Sequence, residues 1–227
     1  THRDRLGALM CACGVLTGSL GKMARDISLL MQDEVAEVAE PGGSARGGSS
    51  TMQHKHNPVG CVLTLAAANR VPGLVATFLS AMIQEHERGA GGWQSEWPTV
   101  AAIVQATGRA INSMAEVMDG LTVNPERMRS NIEATRGTVF AEKAMTILTQ
   151  HLGRDLAEKL LGDATQEAVS QRRRLSEVLA DTPEIMRHLH AGAVNDLEVP
   201  ELYLGVAEEF RTRLLSPLAP DARSKKK

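Results

Sequence analysis

A short polar segment between two long apolar stretches carries most of the reactive side chains in this chain. Residues 47–58 read GGSSTMQHKHNP. A serine hydroxyl transfers protons only when neighbouring donors and cations stabilise the charge that develops. Ser49, on a backbone freed by two glycines, and Lys55 supply that combination. The alternative is a solvated glycine–serine linker with an incidental lysine, which composition alone favours.

The end of this segment predicts the start of a helix. Asn57 can accept hydrogen bonds from the first backbone N–H groups, and Pro58 suits the first helical position. A helix N-terminus carries a partial positive charge, and Lys55 adds a full one close by. We therefore expect an anionic group, such as a substrate carboxylate, to be attracted there.

Long helices are predicted on both sides of the polar segment. Apolar residues at three- and four-residue steps predict one helix from about residue 3 to about residue 38. A second runs from Pro58 toward residue 87 with a kink at Pro72, and a third covers about 96–119. Their apolar faces are wide for a monomer, which favours an elongated bundle that assembles with copies of itself.

A composition shift near Gly120 predicts a domain boundary. The sequence thus divides into a helical bundle over 1–119 with a loop at 41–57, a small helical domain over 120–216, and a flexible basic tail over 217–227. The fold class is all-α, with no strand pair evident. In the second domain, short helices are predicted at about 125–133, 138–152, 154–171, 175–179, 183–190 and 200–214.

Composition excludes several classes of function. The chain has 25 Lys and Arg against 27 Asp and Glu, so no basic field suggests nucleic acid. No uninterrupted apolar run reaches the ~18–20 residues that a membrane span needs. The three cysteines, an odd number in apolar surroundings, favour reduced thiols in the cytoplasm. No group of side chains has metal-ligand spacing.

The polar segment resembles the signature loop of the fumarase/aspartase/argininosuccinate lyase superfamily, whose pattern is G-S-S-x-M-P-x-K-x-N-P. Gln53 stands where that pattern has proline, and His56 where arginine is usual, and these differences bear on substrate preference more than on reaction type. The resemblance covers nearly the whole chain, and within the superfamily it is strongest to the carboxymuconate cycloisomerases. Further matching stretches are residues 18–29, 70–75, 84–88, 93, 96–97 and 152–155.

The resemblance implies a site and a reaction. A carboxylate of a small polycarboxylate substrate would add to a double bond of the same molecule, with no metal or organic cofactor. Ser49 would be the proton-transferring residue, with Ser50 as second choice, while Lys55 would stabilise negative charge. The implied substrate-binding residues are Thr51, Met52, His54, Asn57 and Arg88.

The resemblance also implies a homotetramer in which three subunits build each site, and a chain that is the C-terminal half of a longer enzyme. Partners of nucleic acid or membrane type are not expected. Three alternatives stay open: a cycloisomerase for a 3-sulfo-substituted muconate, a C–N lyase of the same superfamily, and a truncated, non-catalytic helical assembly protein.

Overall fold

The computed structural model describes residues 2–42, 57–87, 89–188 and 191–216. Within these ranges the chain is all-α, as predicted, with one short strand pair. The helices are α1 Asp4–Leu30, α2 Val59–Ser80, α3 Gly92–Asp119, α4 Pro125–Ala134, α5 Ala141–Leu152, α6 Arg154–Gln171, α7 Leu175–Asp181, α8 Pro183–Met186, α9 Ala191–Asp196 and α10 Ala207–Leu215. Short 3₁₀ turns span Thr138–Phe140 and Pro200–Tyr203, and the strands are β1 Val38–Ala39 and β2 Thr122–Val123.

The described chain forms two compact units, Thr1–Arg129 and Ser130–Lys227. The division lies about ten residues after the composition shift at Gly120. The boundary lies later because β2, which follows Gly120, pairs with β1 of the first unit. The two strands are antiparallel, with Val38 opposite Val123. Two-residue strands are too short to show an alternating pattern in a sequence, so this pair was not predicted.

The first unit is built from α1, α2 and α3, which pack against one another along two apolar clusters. One cluster contains Met10, Val71, Phe78 and Ile103. The other lies nearer the strand pair and contains Ile27, Val38, Cys61, Met114 and Val117 among its buried residues. These positions recur every three or four residues, so each helix turns one apolar stripe inward.

Two of the predicted helix ends are too late. The first helix stops at Leu30 rather than near residue 38, because a turn through Ala36, at φ +51°, leads into β1. The second stops at Ser80 rather than near residue 87, and it runs through Pro72.

The outer faces of the three long helices also carry large apolar side chains. Val15 of α1, Val62 and Leu63 of α2, and Val104 of α3 are all at least half exposed. By length and composition alone, α1 and α2 could cross a membrane, a test that the core helices of soluble proteins also pass. A large exposed apolar patch normally marks a face that another element or subunit covers.

The second unit packs short helices around its own core, which includes Leu148, Leu161, Leu179 and Ile185. α9 was not predicted, because six residues are too few to show a helical period. The last predicted helix begins later than expected. A 3₁₀ turn covers Pro200–Tyr203, and Gly205, at φ +52°, precedes α10.

Candidate active site

Most of the predicted site lies outside the described residues. This holds for Ser49, Ser50, Thr51, Met52, His54, Lys55 and Arg88. Asn57 is described, and it directly precedes Pro58 and α2. The structure also describes Pro41 and Gly42 at the other end of the predicted loop. What it establishes is therefore how the two ends of segment 41–57 are held.

The carboxylate of Glu40 caps the start of α2. Its two oxygens accept hydrogen bonds from the backbone N–H of Gly60 at 2.9 Å and of Cys61 at 2.8 Å. The Val59 N–H donates to the carbonyl of Asn57, and the Val62 N–H donates to that of Pro58. Every N–H group in the first turn of α2 thus has an acceptor within the chain, including those that a helix leaves without intrahelical partners.

The predicted cap at this helix start was wrong. Pro58, expected at the first helical position, occupies the N-cap position itself, with no side-chain cap hydrogen bond. The capping group comes instead from Glu40, twenty residues before Gly60. A negative charge at a helix N-terminus is favourable, so the anion expected at this position is present as a side chain of the protein.

Close packing fixes the same region. A Cβ atom at Gly60 would lie 2.4 Å from a methyl group of Val117, so α2 approaches α3 at a distance that only glycine permits. A Cβ atom at Gly120 would lie 2.6 Å from Cβ of Pro41. The residue that opens segment 41–57 is therefore pressed against the end of α3.

The chain leading into the segment is tied down by further hydrogen bonds. Arg127 of α4 donates from Nε to the carbonyl of Val35 at 3.0 Å and from a terminal nitrogen to that of Glu34 at 2.7 Å. The Asn124 N–H donates to the carbonyl of Glu37 at 2.9 Å. Together with the β1–β2 pair, these contacts make the entrance to the segment part of the rigid bundle.

Cys61 lies beneath this cap and is fully buried. Burial is the main reason that the pKa of its thiol rises from an ordinary 9.0 to about 12, with a hydrogen bond to Glu40 and the charge of Glu40 adding to the effect. A thiol with so high a pKa stays protonated at neutral pH and is a poor nucleophile. Cys61 is thus a packing and hydrogen-bonding residue of the cap.

Glu96 anchors the chain on the N-terminal side of Arg88. This carboxylate of α3 is 5% exposed and accepts from Nε of Arg3 at 2.8 Å and from the side-chain amide of Gln84 at 2.7 Å. A Cβ atom at Gly92 would lie 2.9 Å from the carbonyl oxygen of Ala81. The chain at residues 81–84 is therefore held against the start of α3.

One groove was missed by sequence reasoning. It lies between α2 and α3, has a volume of about 580 Å³, and is lined by Arg70, Arg109, Asn112 and Ser113 among others. On α3, its polar residues Gln105, Arg109, Asn112 and Glu116 are spaced three or four apart, and this spacing was the available signal. Among the described residues, no group of His, Cys, Asp or Glu side chains is arranged to hold a metal ion.

Comparison with known proteins shows which class of protein this chain resembles. A family model described as "Lyase" matches residues 1–73. The resemblance seen in the sequence is confirmed, because the chain is similar both to this lyase family and to proteins named cycloisomerases.

Individual relatives sharpen the assignment. The chain is 42% identical over 221 residues to a 3-carboxy-cis,cis-muconate cycloisomerase of Bradyrhizobium diazoefficiens, covering 97% of this chain and 49% of that protein. It is 40% identical to a nitrosuccinate lyase of Streptomyces davaonensis, covering 86% of this chain and 41% of that protein. The crystal structure of the 3-carboxy-cis,cis-muconate lactonizing enzyme from Pseudomonas putida matches with a TM-score of 0.83 at 45% identity, covering 94% of this chain and 48% of that one. The chain thus spans about half the length of these relatives.

Proposed function

We propose that the protein takes part in converting 3-carboxy-cis,cis-muconate to 4-carboxymuconolactone, a step in the breakdown of aromatic compounds. The observation that carries this proposal is the 42% identity with a cycloisomerase of that name over nearly the whole chain. A matching crystal structure of a lactonizing enzyme supports it independently at the level of the fold.

The proposed reaction is an isomerisation. An oxygen of one substrate carboxylate forms a C–O bond to an alkene carbon, and the π electrons move toward the neighbouring carbon. Charge collects on the carboxylate attached to that carbon until the carbon gains a proton. We assign the proton transfer to Ser49, with Ser50 as second choice, and the stabilisation of charge to Lys55 and Asn57. No electron acceptor is needed, because substrate and product are isomers.

Substrate binding is assigned to the remaining predicted residues. Arg88 can hold a carboxylate through two parallel hydrogen bonds, and the chain before it is held by the contact of Gln84 with Glu96. Thr51, Met52 and His54 complete the proposed contacts from segment 41–57.

We also propose that the protein works as a homotetramer with shared sites. The support is the half-exposed apolar surface on α1, α2 and α3. The variant Val15→Glu should lower the assembled mass measured by light scattering, since it places a charge on a face that we expect to be covered. Val169→Glu, on a similarly exposed valine of α6, is the matched control and should leave that mass unchanged. A cytoplasmic location is part of the proposal, supported by three cysteines without disulfides.

A lyase reaction is the second candidate, because the chain is also 40% identical to a protein named nitrosuccinate lyase. The full gene product that carries this chain should therefore be assayed with 3-carboxymuconate, by the ultraviolet loss of the diene, and with nitrosuccinate. Turnover of nitrosuccinate alone would replace the cycloisomerase assignment.

Two substitutions test the assigned residues. Ser49→Ala should abolish most lactone formation, and Lys55→Met should lower kcat strongly. Ser44→Ala, in the same segment and without an assigned role, is the control. A near-normal rate for Ser49→Ala would reject its role, and a change confined to KM for Lys55→Met would show that the lysine only binds.

A further inference from the structure

We infer that Glu40 is a positioning residue for the reaction, because it locks the two ends of segment 41–57 to each other. Its carboxylate joins the end of β1 to the start of α2 through the N–H groups of Gly60 and Cys61. This role rests on the proposed function, in which residues of that segment act on the substrate.

The geometry makes Glu40 more than a surface ion. Both of its oxygens are used, each by one of two successive amides, so the carboxylate cannot rotate without losing a bond. Its backbone continues directly from β1, whose Ala39 pairs with Thr122. Its partners lie in the first turn of a helix packed against α3 through Gly60. Glu40 therefore joins two elements that are each fixed independently.

The position of Glu40 in the chain connects this contact to the site. Pro41, the first residue of the segment, follows Glu40 directly, while Asn57 stands three residues before Gly60. Any movement between Glu40 and α2 is therefore passed to both ends of the segment at once. Misplacing a reactive group by about 1 Å costs about 100-fold in rate, so loss of a contact at this point should lower the reaction rate strongly.

The same contact decides which groups can meet the charge of the substrate. The amides of Gly60 and Cys61 are already bound to a carboxylate, so a second carboxylate could use them only by displacing Glu40. We therefore expect side chains such as Lys55 and Asn57, rather than the helix amides, to stabilise the negative charge that develops on the substrate.

The test uses Glu40→Ala and Glu40→Gln in the full gene product, with Asp33→Ala as the control. Asp33 is an exposed acidic residue of the same connection. Hydrogen exchange of residues 57–62 and steady-state kinetics with 3-carboxymuconate are measured on each protein. Glu40→Ala should speed exchange at Gly60 and Cys61 by more than about tenfold, since two charge-assisted hydrogen bonds are lost.

The kinetic arm separates positioning from stability. Glu40→Ala should lower kcat by about 10- to 100-fold with a much smaller change in KM. Glu40→Gln keeps one carbonyl oxygen as an acceptor and should recover part of that loss, while Asp33→Ala should match the wild type. If Glu40→Ala does not fold, Glu40→Gln alone still decides, because it should combine faster local exchange with a reduced kcat.

Three results would overturn the inference. Unchanged exchange at Gly60 and Cys61 would mean that the cap is absent in solution. Faster exchange with a normal kcat would make Glu40 a structural cap only. A wild-type protein without turnover of 3-carboxymuconate would reject the proposed function and the role in catalysis together, while the exchange data would still report on the cap by itself.

Discussion

An Asn-Pro pair lies at the start of both α2 and α4, yet the two helices are capped in different ways. At α4, the side-chain oxygen of Asn124 accepts from the Arg127 N–H at 3.0 Å. At α2, the side chain of Glu40 takes the corresponding amides, and Asn57 contributes its backbone carbonyl to Val59. One start is capped locally and the other from twenty residues away.

The difference shows what each helix start does. α4 needs only a stable beginning, and a neighbouring asparagine provides it. α2 begins where segment 41–57 ends, and its cap comes from the residue that precedes that segment. The long-range cap therefore stabilises a helix and also closes a loop, a result that a local cap cannot produce.

The largest expected effect is the loss of the long-range cap. Glu40→Ala removes two charge-assisted hydrogen bonds and should lower the free energy of unfolding by about 3 kcal/mol. Urea unfolding followed by circular dichroism measures this, with Asp33→Ala expected within about 0.5 kcal/mol of the wild type. A loss no larger than that of Asn124→Ala would remove the distinction between the two caps.

The next effect tests the close approach that accompanies the cap. Gly60→Ala would place a Cβ atom 2.4 Å from a methyl group of Val117. It should destabilise the protein by about 2 kcal/mol, even though alanine favours helices. The matched control is Gly73→Ala in the same helix, where a Cβ atom meets nothing within 4 Å. That variant should be stabilised by up to about 1 kcal/mol, and a loss of stability there would point to a contact outside the described residues.

The same contrast between local and long-range contacts explains how much of the fold could be predicted from the sequence. Regular apolar spacing predicted the long helices and the all-α class, and the start of α4 at about residue 125 was predicted because its cap is local, between Asn124 and Arg127. The cap by Glu40, the strand pair and the groove with Arg70 and Arg109 were not predicted. Each depends on residues that only the folded chain brings together. Of the three, only the groove had a local signal, the three- and four-residue spacing of its polar residues on α3.

The predicted site divides in the same way. A contiguous motif is enough to propose Ser49 and Lys55, because a resemblance can be seen in consecutive residues. It cannot show what holds the motif in place. Glu40, Val117 and Gly120 lie outside that motif, and their contacts are what the structure adds.

A smaller effect is expected at the local cap. Asn124→Ala should lower the free energy of unfolding by about 1 kcal/mol, the usual cost of losing an N-cap side chain. Asn124→Asp keeps an acceptor oxygen and should be close to the wild type. Urea unfolding of the two variants gives the comparison directly, and equal losses in both would show that Asn124 contributes through something other than its cap bond.

The smallest expected effect concerns the thiol of Cys61, which lies beneath the long-range cap of α2. The corresponding position of α4 has no thiol. The pKa of Cys61 is raised to about 12 in the folded protein, mainly by burial. The unfolded chain therefore loses this proton near pH 9.0 while the folded chain keeps it. The stability that the neutral thiol contributes is complete below that pH and is lost as the pH rises toward about 12. Between about pH 7.5 and about pH 9.5, the free energy of unfolding should fall further in the wild type than in Cys61→Ala, by slightly less than ~1 kcal/mol. The titrations of all other groups cancel in this difference. Parallel urea titrations of both proteins at the two pH values measure this quantity, and identical losses would mean that the Cys61 thiol is neither buried nor hydrogen-bonded to Glu40 in solution.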